Sequence, residues 1–286
     1  MLKDLKREGH VKKLFIALCF LPLSVFAAIE NYYPTSFIEQ KASLQDEKLK
    51  NELYAILVKA HIYLGKDKRD LLVDDCGLNN GQGRCTQTKV LGYNTARKVL
   101  FGKLHLEEGS NGYYINDVYC HKNFTSSSGV GPDRIPNNNN INCEHTWPQS
   151  KFTKNFPNEM QKSDLHHLYP TDSKANSIRG NNEFAEVDGD PVDNCDASYY
   201  GNNKGSGMYF EPPSEHKGNV ARALFYFSVR YKISISPQQE TYLRKWNEMD
   251  PVDSDEMERN DMIEKMQGNR NPFIDQPELV SQIKDF

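Results

Sequence analysis

The chain has 286 residues, of which 37% are hydrophobic and 11% are aromatic, so it can bury a core and does not have the composition of a disordered protein. Its net charge of −4 at pH 7 excludes a protein that coats nucleic acid through a uniformly basic surface. The same charge is compatible with a nuclease, because a local basic groove can neutralise the few phosphates that are contacted.

Residues 1–27 have the pattern of a signal peptide. A basic start precedes the apolar run LFIALCFLPLSVFA, and Val25 and Ala27 suit the −3 and −1 positions of a signal-peptidase site. The run is too short to span a membrane, and the residue before Cys19 is too large for a lipid-anchor signal. Residues 28–286 would remain after cleavage, with a net charge of −7, because the leader carries five Lys/Arg and two Asp/Glu.

Five further cysteines follow the leader: Cys76, Cys85, Cys120, Cys143 and Cys195. An odd number in an exported protein predicts two disulfides and one free thiol. Cys76 and Cys85 are attractive partners, because three glycines make the loop between them pliable, and the rest of the pairing stays open. A structural zinc site is the alternative, but the chain has no C-x-x-C spacing to support it.

The first half of the mature chain contains two candidate helices and a candidate strand. A stripe of leucine, isoleucine and alanine predicts a helix over 43–64, with the stripe facing the core. A shorter helix is predicted over 95–101, ending at Gly102. The segment 112–120 (GYYINDVYC) predicts a strand, and 126–140, rich in Ser, Gly and Asn, predicts a loop.

The segment 142–181 predicts two strands and a helix. Alternation over 143–147, ended by Pro148, indicates a first strand, and 165–169, ended by Pro170, indicates a second. A short helix is predicted over 173–178, with Thr171 or Asp172 as its N-cap and Gly180 as its stop. The pattern is therefore a ββα unit.

The side chains of this unit suggest a one-metal phosphodiesterase site. Glu144 and Asn176 supply the oxygen ligands that a hard divalent cation prefers. His145 follows Glu144 on the strand and points to its other side, so it stays free of the metal and can accept a proton from an attacking water.

The last third of the chain is mainly helical. Residues 188–207 carry four aspartates, but Pro191 and the glycines favour a solvated loop over a metal site. Helices are predicted over 220–231, 237–249 and 256–267, the last with Asp253 as its cap and a glycine stop. The fold class is α+β, a mainly helical single domain over residues 28–286 built around the ββα unit.

Four segments together resemble the bacterial endonuclease I family, which are secreted or periplasmic nucleases of the ββα-metal (His-Me finger) group. They read EHTWPQS, SDLHHLYPTDSKANSIRGN, GNVARALFYFSVRYK and DEMERNDMIEKMQGNRNPFIDQPEL. The resemblance implies that Glu144 and Asn176 bind magnesium and that His145 is the general base. It also implies that a main-chain carbonyl on the second strand, near Lys162 or Ser163, orients that base.

One departure from the family concerns its phosphate-binding arginine. Some members carry that arginine in a long excursion between the two strands, and here the excursion, KFTKNFPNEMQK, has none. Arg179, just after the metal-binding helix, is the candidate to contact the substrate in its place.

The resemblance implies a Mg²⁺-dependent endonuclease with one divalent cation, for which Mn²⁺ or Ca²⁺ could substitute. We expect it to hydrolyse DNA, with RNA as a further substrate, with little sequence preference and with 5′-phosphate products. We also expect an exported monomer, periplasmic or extracellular, with no membrane anchor. The alternatives are a secreted zinc hydrolase that uses His145, His166 or His167, and a non-catalytic nucleic-acid-binding protein of the same fold.

Overall fold

The computed structural model describes residues 31–78, 81 and 83–286, so the predicted signal peptide lies outside the described residues. The helices are α1 (Thr35–Gln40), α2 (Asp46–Val58), α3 (Tyr93–Val99), α4 (Asn158–Lys162), α5 (Ser173–Arg179), α6 (Lys217–Tyr231), α7 (Pro237–Met249), α8 (Ser254–Gln267) and α9 (Pro272–Asp275). The strands are β1 (Ala60–Tyr63), β2 (Leu71–Val73), β3 (Arg84–Thr86), β4 (Glu107–Gly109), β5 (Gly112–Asn116), β6 (Asn123–Thr125), β7 (Ile141–His145), β8 (Leu168–Asp172), β9 (Glu183–Phe184), β10 (Asp188–Val192), β11 (Cys195–Asn202) and β12 (Met208–Glu211).

The strands form small sheets between the helices. Their orders are β2-β1-β3, β4-β5-β6, the hairpin β7-β8, and β10-β11-β12-β9, in which β9 pairs parallel to β12. Small sheets among longer helices agree with the predicted α+β class. In the described part of the chain, no helix has both the length and the apolar composition that a membrane span requires.

Helix α6 forms the centre of the larger hydrophobic cluster. Its residues are buried on every side, which is the pattern of a helix enclosed by its neighbours. It packs against α7 and α2, and Leu224, Phe225 and Phe227 are at most 1% exposed. The helix predicted over 220–231 is thus confirmed, although it begins earlier, at Lys217.

The β7-β8 hairpin lies between two hydrophobic clusters. Ile141, Cys143 and Leu168 belong to a smaller cluster on one face of the hairpin, whereas Trp147 and Ala175, just beyond β7 and on α5, belong to the cluster around α6. The hairpin and the helix that follows it are therefore fixed by packing from both sides.

Two predicted helices have different ends in the structure. The first stops at Val58 rather than residue 64, because 60–63 pairs as β1 with β2 and β3. The second, α3, continues through a π-helical turn, Leu100–Leu104, and so does not end at Gly102. Gly102 is needed instead for a close approach, since an added Cβ would lie 2.6 Å from the main-chain nitrogen of Asp133.

The predicted loop 188–207 is wrong, because most of it forms the antiparallel strands β10 and β11. Two of its glycines, Gly189 and Gly201, permit strand pairing rather than turns. A Cβ on Gly189 would lie 2.5 Å from the carbonyl oxygen of Tyr200, and one on Gly201 would lie 2.6 Å from the Cα of Gly189. Pro191 is tolerated because β10 is an edge strand of its sheet.

Candidate active site

The hairpin and α5 form the predicted sequence of two strands and a helix, with shifted strand boundaries. The first strand covers Ile141–His145 rather than 143–147, and the second covers Leu168–Asp172 rather than 165–169. Residues 165–167 form a 3₁₀ turn instead. Pro170 therefore lies inside β8, opposite Cys143, and does not end the strand.

Helix α5 begins and ends as predicted from its capping residues. The carboxylate of Asp172 accepts hydrogen bonds from the main-chain N–H groups of Lys174 and Ala175, at 2.9 and 3.0 Å. Gly180 follows the last turn with a φ of +55°, which glycine adopts readily. These local contacts fix where the helix starts relative to the end of β8.

Glu144 and His145 point to opposite faces of β7, as the alternation of a strand requires. In the antiparallel register Glu144 is paired with Tyr169, and His145 is paired with Leu168. The carboxylate of Glu144 is only 2% exposed, and Tyr119 donates a hydrogen bond to its Oε1 at 3.0 Å. Burial raises the pKa of Glu144, although Arg179 and Tyr119 act in the opposite direction.

Arg179 joins the end of α5 to the end of β7. Its Nη1 lies 2.9 Å from Oε1 of Glu144 and donates to the carbonyl oxygen of His145 at 3.0 Å, and its Nη2 donates to the carbonyl oxygen of Thr146 at 2.6 Å. The side chain is 2% exposed, so a phosphate could reach it only if these contacts changed. The predicted phosphate contact of Arg179 stays a prediction.

Asn176 lies three residues before Arg179, so the two side chains project from the same face of α5. That face is turned toward β7, because Arg179 reaches Glu144. The side chain of Asn176 is half-buried. Its joint role with Glu144, 32 residues earlier in the chain, stays a prediction.

His145 is held in one tautomer by its surroundings. Its Nε2 lies 3.2 Å from the carbonyl oxygen of Lys162, and since a carbonyl only accepts, Nε2 carries the proton. Nδ1 is then unprotonated, and the side-chain nitrogen of Gln149 lies 3.3 Å from it. The expected carbonyl belongs to Lys162, but it lies at the end of α4 and not on the second strand.

The imidazole of His145 is neutral at physiological pH. Burial lowers its pKa well below the ordinary value, and the nearby ring of His167, 5.4 Å away between centroids, adds to the effect. A neutral imidazole with an unprotonated Nδ1 can accept a proton. A buried carboxylate and a proton acceptor therefore lie on adjacent residues at the end of β7.

The other two histidines of the segment have structural contacts. Nε2 of His166 lies 3.1 Å from the carbonyl oxygen of Asn269, and Nε2 of His167 lies 2.8 Å from that of Gln161. Among residues 31–78, 81 and 83–286, no group of three or more His, Cys, Asp or Glu side chains could hold a metal ion.

The cysteine pattern agrees with the prediction of two disulfides and one free thiol. Cys76 is bonded to Cys85 and Cys120 to Cys195, whereas Cys143 is free and buried on β7. Burial raises the pKa of the Cys143 thiol to about 12, so it stays protonated. The Cys120–Cys195 bond links the segment before the hairpin to β11.

Two residues of the site were not predicted. Tyr119 contacts Glu144 across 25 residues, and nothing in its local sequence indicates that contact. The contact of Gln149 with His145 could have been predicted from its sequence position. Gln149 lies only four residues after His145, directly after Pro148.

The comparisons with known proteins identify similar sequences. A family model described as Endonuclease I matches residues 79–278. The extracellular ribonuclease of Bacillus amyloliquefaciens is 40% identical over 161 residues, which cover 50% of this chain and 53% of the relative. An extracellular deoxyribonuclease of Aeromonas hydrophila is 33% identical over 140 residues, which cover 47% of this chain and 58% of the relative. A periplasmic deoxyribonuclease of the same organism is 32% identical over 140 residues, which cover 47% of this chain and 56% of the relative.

The chain spans about half the length of these curated relatives. The family model covers well over half of the chain itself and includes the hairpin, α5 and α6. The chain belongs to the Endonuclease I family.

Proposed function

We propose that the chain is a metal-dependent endonuclease that hydrolyses phosphodiester bonds of DNA, with RNA as a further substrate and with little sequence preference. The names of its relatives include both extracellular deoxyribonucleases and extracellular ribonucleases. The observation that supports the proposal is the contact of Arg179 with Glu144, next to the neutral imidazole of His145. From it we infer that the side of α5 that carries Asn176 faces β7.

A divalent cation is the first part of the proposal. Glu144 and Asn176 offer a carboxylate and an amide oxygen, which suit Mg²⁺, and Mg²⁺ retains several waters, so two protein ligands are sufficient. Tyr119 and Arg179 both contact Oε1 of Glu144. This donor set fits one hard cation, with Mn²⁺ or Ca²⁺ as substitutes, and makes the β7, β8 and α5 unit a candidate ββα-metal motif.

Proton transfer is the second part. In this mechanism His145 takes a proton at Nδ1 from the water that attacks the phosphorus, while the Lys162 carbonyl holds the opposite ring nitrogen. The amide of Gln149 contacts Nδ1 at 3.3 Å, so the attacking water would replace this contact before it gives up its proton. When bound, the cation would stabilise the negative charge that develops on the phosphate and on the departing 3′ oxygen. That oxygen takes a proton from water as its bond to phosphorus breaks, so the products carry 3′-hydroxyl and 5′-phosphate ends.

Export is the third part. Residues 1–27 would direct secretion, and the two disulfides suit an oxidising compartment, either the periplasm or the medium. Relatives of the chain are named extracellular or periplasmic nucleases. We propose that the mature protein works there as a monomer.

A plasmid-nicking assay tests reaction class and cofactor together. Purified residues 28–286 should convert supercoiled DNA to nicked and linear forms in Mg²⁺, lose this activity in EDTA, and regain it when Mg²⁺ is added back. Parallel reactions with Zn²⁺ and with single-stranded RNA separate the zinc alternative and the two substrates. Unchanged cleavage in EDTA, or recovery with Zn²⁺ and not with Mg²⁺, would contradict the proposal.

A further inference from the structure

Tyr119 donates a hydrogen bond to the carboxylate of Glu144 from a fully buried position. Its hydroxyl lies 3.0 Å from Oε1, and the residue is 0% exposed. The hydroxyl is the donor of this bond, because a carboxylate oxygen only accepts. Nη1 of Arg179 contacts the same oxygen at 2.9 Å. Two donors on one carboxylate oxygen fix the rotation of the carboxylate.

The main chain around Tyr119 is itself held by a buried carboxylate. Asp117, which is 0% exposed, accepts hydrogen bonds from the N–H groups of Tyr119 at 3.1 Å, Cys120 at 2.9 Å and Lys122 at 2.8 Å. It also accepts one from the N–H of Asp172, the N-cap of α5, at 3.1 Å. The turn that carries Tyr119 is therefore tied directly to the start of the helix that carries Asn176.

A second set of contacts holds the same turn from the side of β11. The hydroxyl of Ser198 donates to the carbonyl oxygen of Tyr119 at 2.8 Å, and the neighbouring Cys120 is bonded to Cys195. The ring of Tyr119 packs 4.7 Å from that of Phe210. A side chain restrained at its main chain, its ring and its hydroxyl has little rotamer freedom, which is the property expected of a group that positions another.

We propose that Tyr119 is a positioning residue for the cation site, and this inference rests on the proposed function. By holding Oε1 of Glu144, it leaves the other carboxylate oxygen for the cation and removes the need to order the carboxylate when the cation binds. Groups that hydrogen-bond to a metal ligand typically change metal affinity by about 10- to 100-fold when they are removed. The competing explanation is that the hydroxyl only satisfies a buried polar group.

The test measures metal binding directly. Tyr119→Phe keeps the ring and removes only the hydroxyl, and Mn²⁺ binding to the purified protein is followed by electron paramagnetic resonance in the absence of DNA. The dissociation constant should rise by about 10- to 100-fold. The Mg²⁺ concentration that gives half-maximal cleavage should rise by the same factor, whereas the rate at saturating Mg²⁺ should stay close to that of the parent protein.

The matched control is Tyr33→Phe. Tyr33 is 1% exposed and donates to Oδ2 of Asp275 at 2.7 Å, so the substitution also removes a buried bond between a tyrosine hydroxyl and a carboxylate, but one that involves neither Glu144 nor Asn176. It should leave the dissociation constant unchanged. An unchanged dissociation constant in Tyr119→Phe, or equal shifts in both variants, would overturn the inference.

A third variant covers the case in which Tyr119→Phe does not fold. Ser198→Ala removes the hydrogen bond to the Tyr119 carbonyl. It should raise the Mn²⁺ dissociation constant by at least about twofold. An unchanged dissociation constant in this variant would overturn the inference. Failure of the proposed function gives a different result, since the parent protein itself would then bind no divalent cation or would cleave DNA in EDTA.

Discussion

The guanidinium of Arg179 lies 2.9 Å from the carboxylate of Glu144, and both side chains are 2% exposed. A buried carboxylate without a partner is costly, so this contact allows Glu144 to occupy the interior of the protein. Arg179 also binds the carbonyl oxygens of the two residues after Glu144. Arg179 therefore connects the end of β7 to α5. The positions of Glu144 and His145 depend on it even if it does not contact the substrate.

Removing this brace should destabilise the fold. Arg179→Ala leaves the Glu144 charge buried and unpaired, and we expect a loss of about 3–5 kcal/mol in the free energy of unfolding. Urea denaturation in EDTA measures it. Lys174→Ala, on the same helix, is the control, because its ion pair with Asp193 is exposed and should contribute under about 1 kcal/mol. A loss in Arg179→Ala no larger than in the control would contradict the bracing role.

Removing the proposed base should abolish cleavage without unfolding the protein. In His145→Ala we expect kcat to fall by about 100- to 10,000-fold, which is the usual contribution of a general base. Gel-based cleavage at saturating Mg²⁺ measures it, and thermal unfolding verifies that the variant is folded. His121→Ala, which alters an exposed histidine paired with Glu215, is the matched control and should cleave like the parent protein. Equal activity of the two variants would show that another group accepts the proton.

Buried neutral histidines should make the protein less stable in acid. Burial lowers the pKa of His166 to about 3, of His167 to about 4 and of His216 to about 3, whereas an unfolded histidine titrates near 6.5. Below pH 6.5 the unfolded chain therefore binds protons that the folded chain does not. Their stabilising contribution is complete above pH 6.5 and is lost as the pH falls from 6.5 toward about 4 for His167 and about 3 for His166 and His216.

The expected loss is about 1 kcal/mol per histidine for each pH unit below 6.5. Urea denaturation at pH 7.5, 6.5, 5.5 and 4.5 measures it, and His216→Phe should show a shallower decline than the parent protein, because one titrating group is gone. A free energy of unfolding that stays constant or rises between pH 6.5 and 5 would contradict the burial of these rings in neutral form.

The two disulfides should differ in their contributions. Cys120 and Cys195 are 75 residues apart in sequence, whereas Cys76 and Cys85 are 9 apart. Loop-closure entropy then assigns about 4.5 kcal/mol to the longer loop and about 2.6 kcal/mol to the shorter. Denaturation of the double variants Cys120→Ala/Cys195→Ala and Cys76→Ala/Cys85→Ala compares them. A larger loss from the shorter loop would show that chain entropy does not control their effect.

Local features of the chain were predictable because their causes are local. Asp172 and Gly180 bound α5, and Asp253 and Gly268 bound α8, through contacts within a few residues. The roles of Gly102 and Gly189 were predicted wrongly, as a helix end and as part of a loop. The sequence alone does not distinguish a glycine that allows two backbones to approach closely from a glycine in a turn.

Long-range contacts of the site could not be predicted from the sequence. The bond from Tyr119 to Glu144 and the burial of Arg179 depend on how separate elements pack. The ββα order was accessible from alternation and capping, but its second strand was shifted because residues 165–167 form a turn around the Asp164 side chain, which accepts from the N–H of His166.

The most direct test of the account is the position of a bound cation. A crystal structure of the protein grown with Mn²⁺, with data collected to locate manganese by its anomalous scattering, should show one peak about 2.1 Å from both a carboxylate oxygen of Glu144 and the amide oxygen of Asn176. A peak bound by other residues, or an active protein with no peak between these two side chains, would contradict the proposed site.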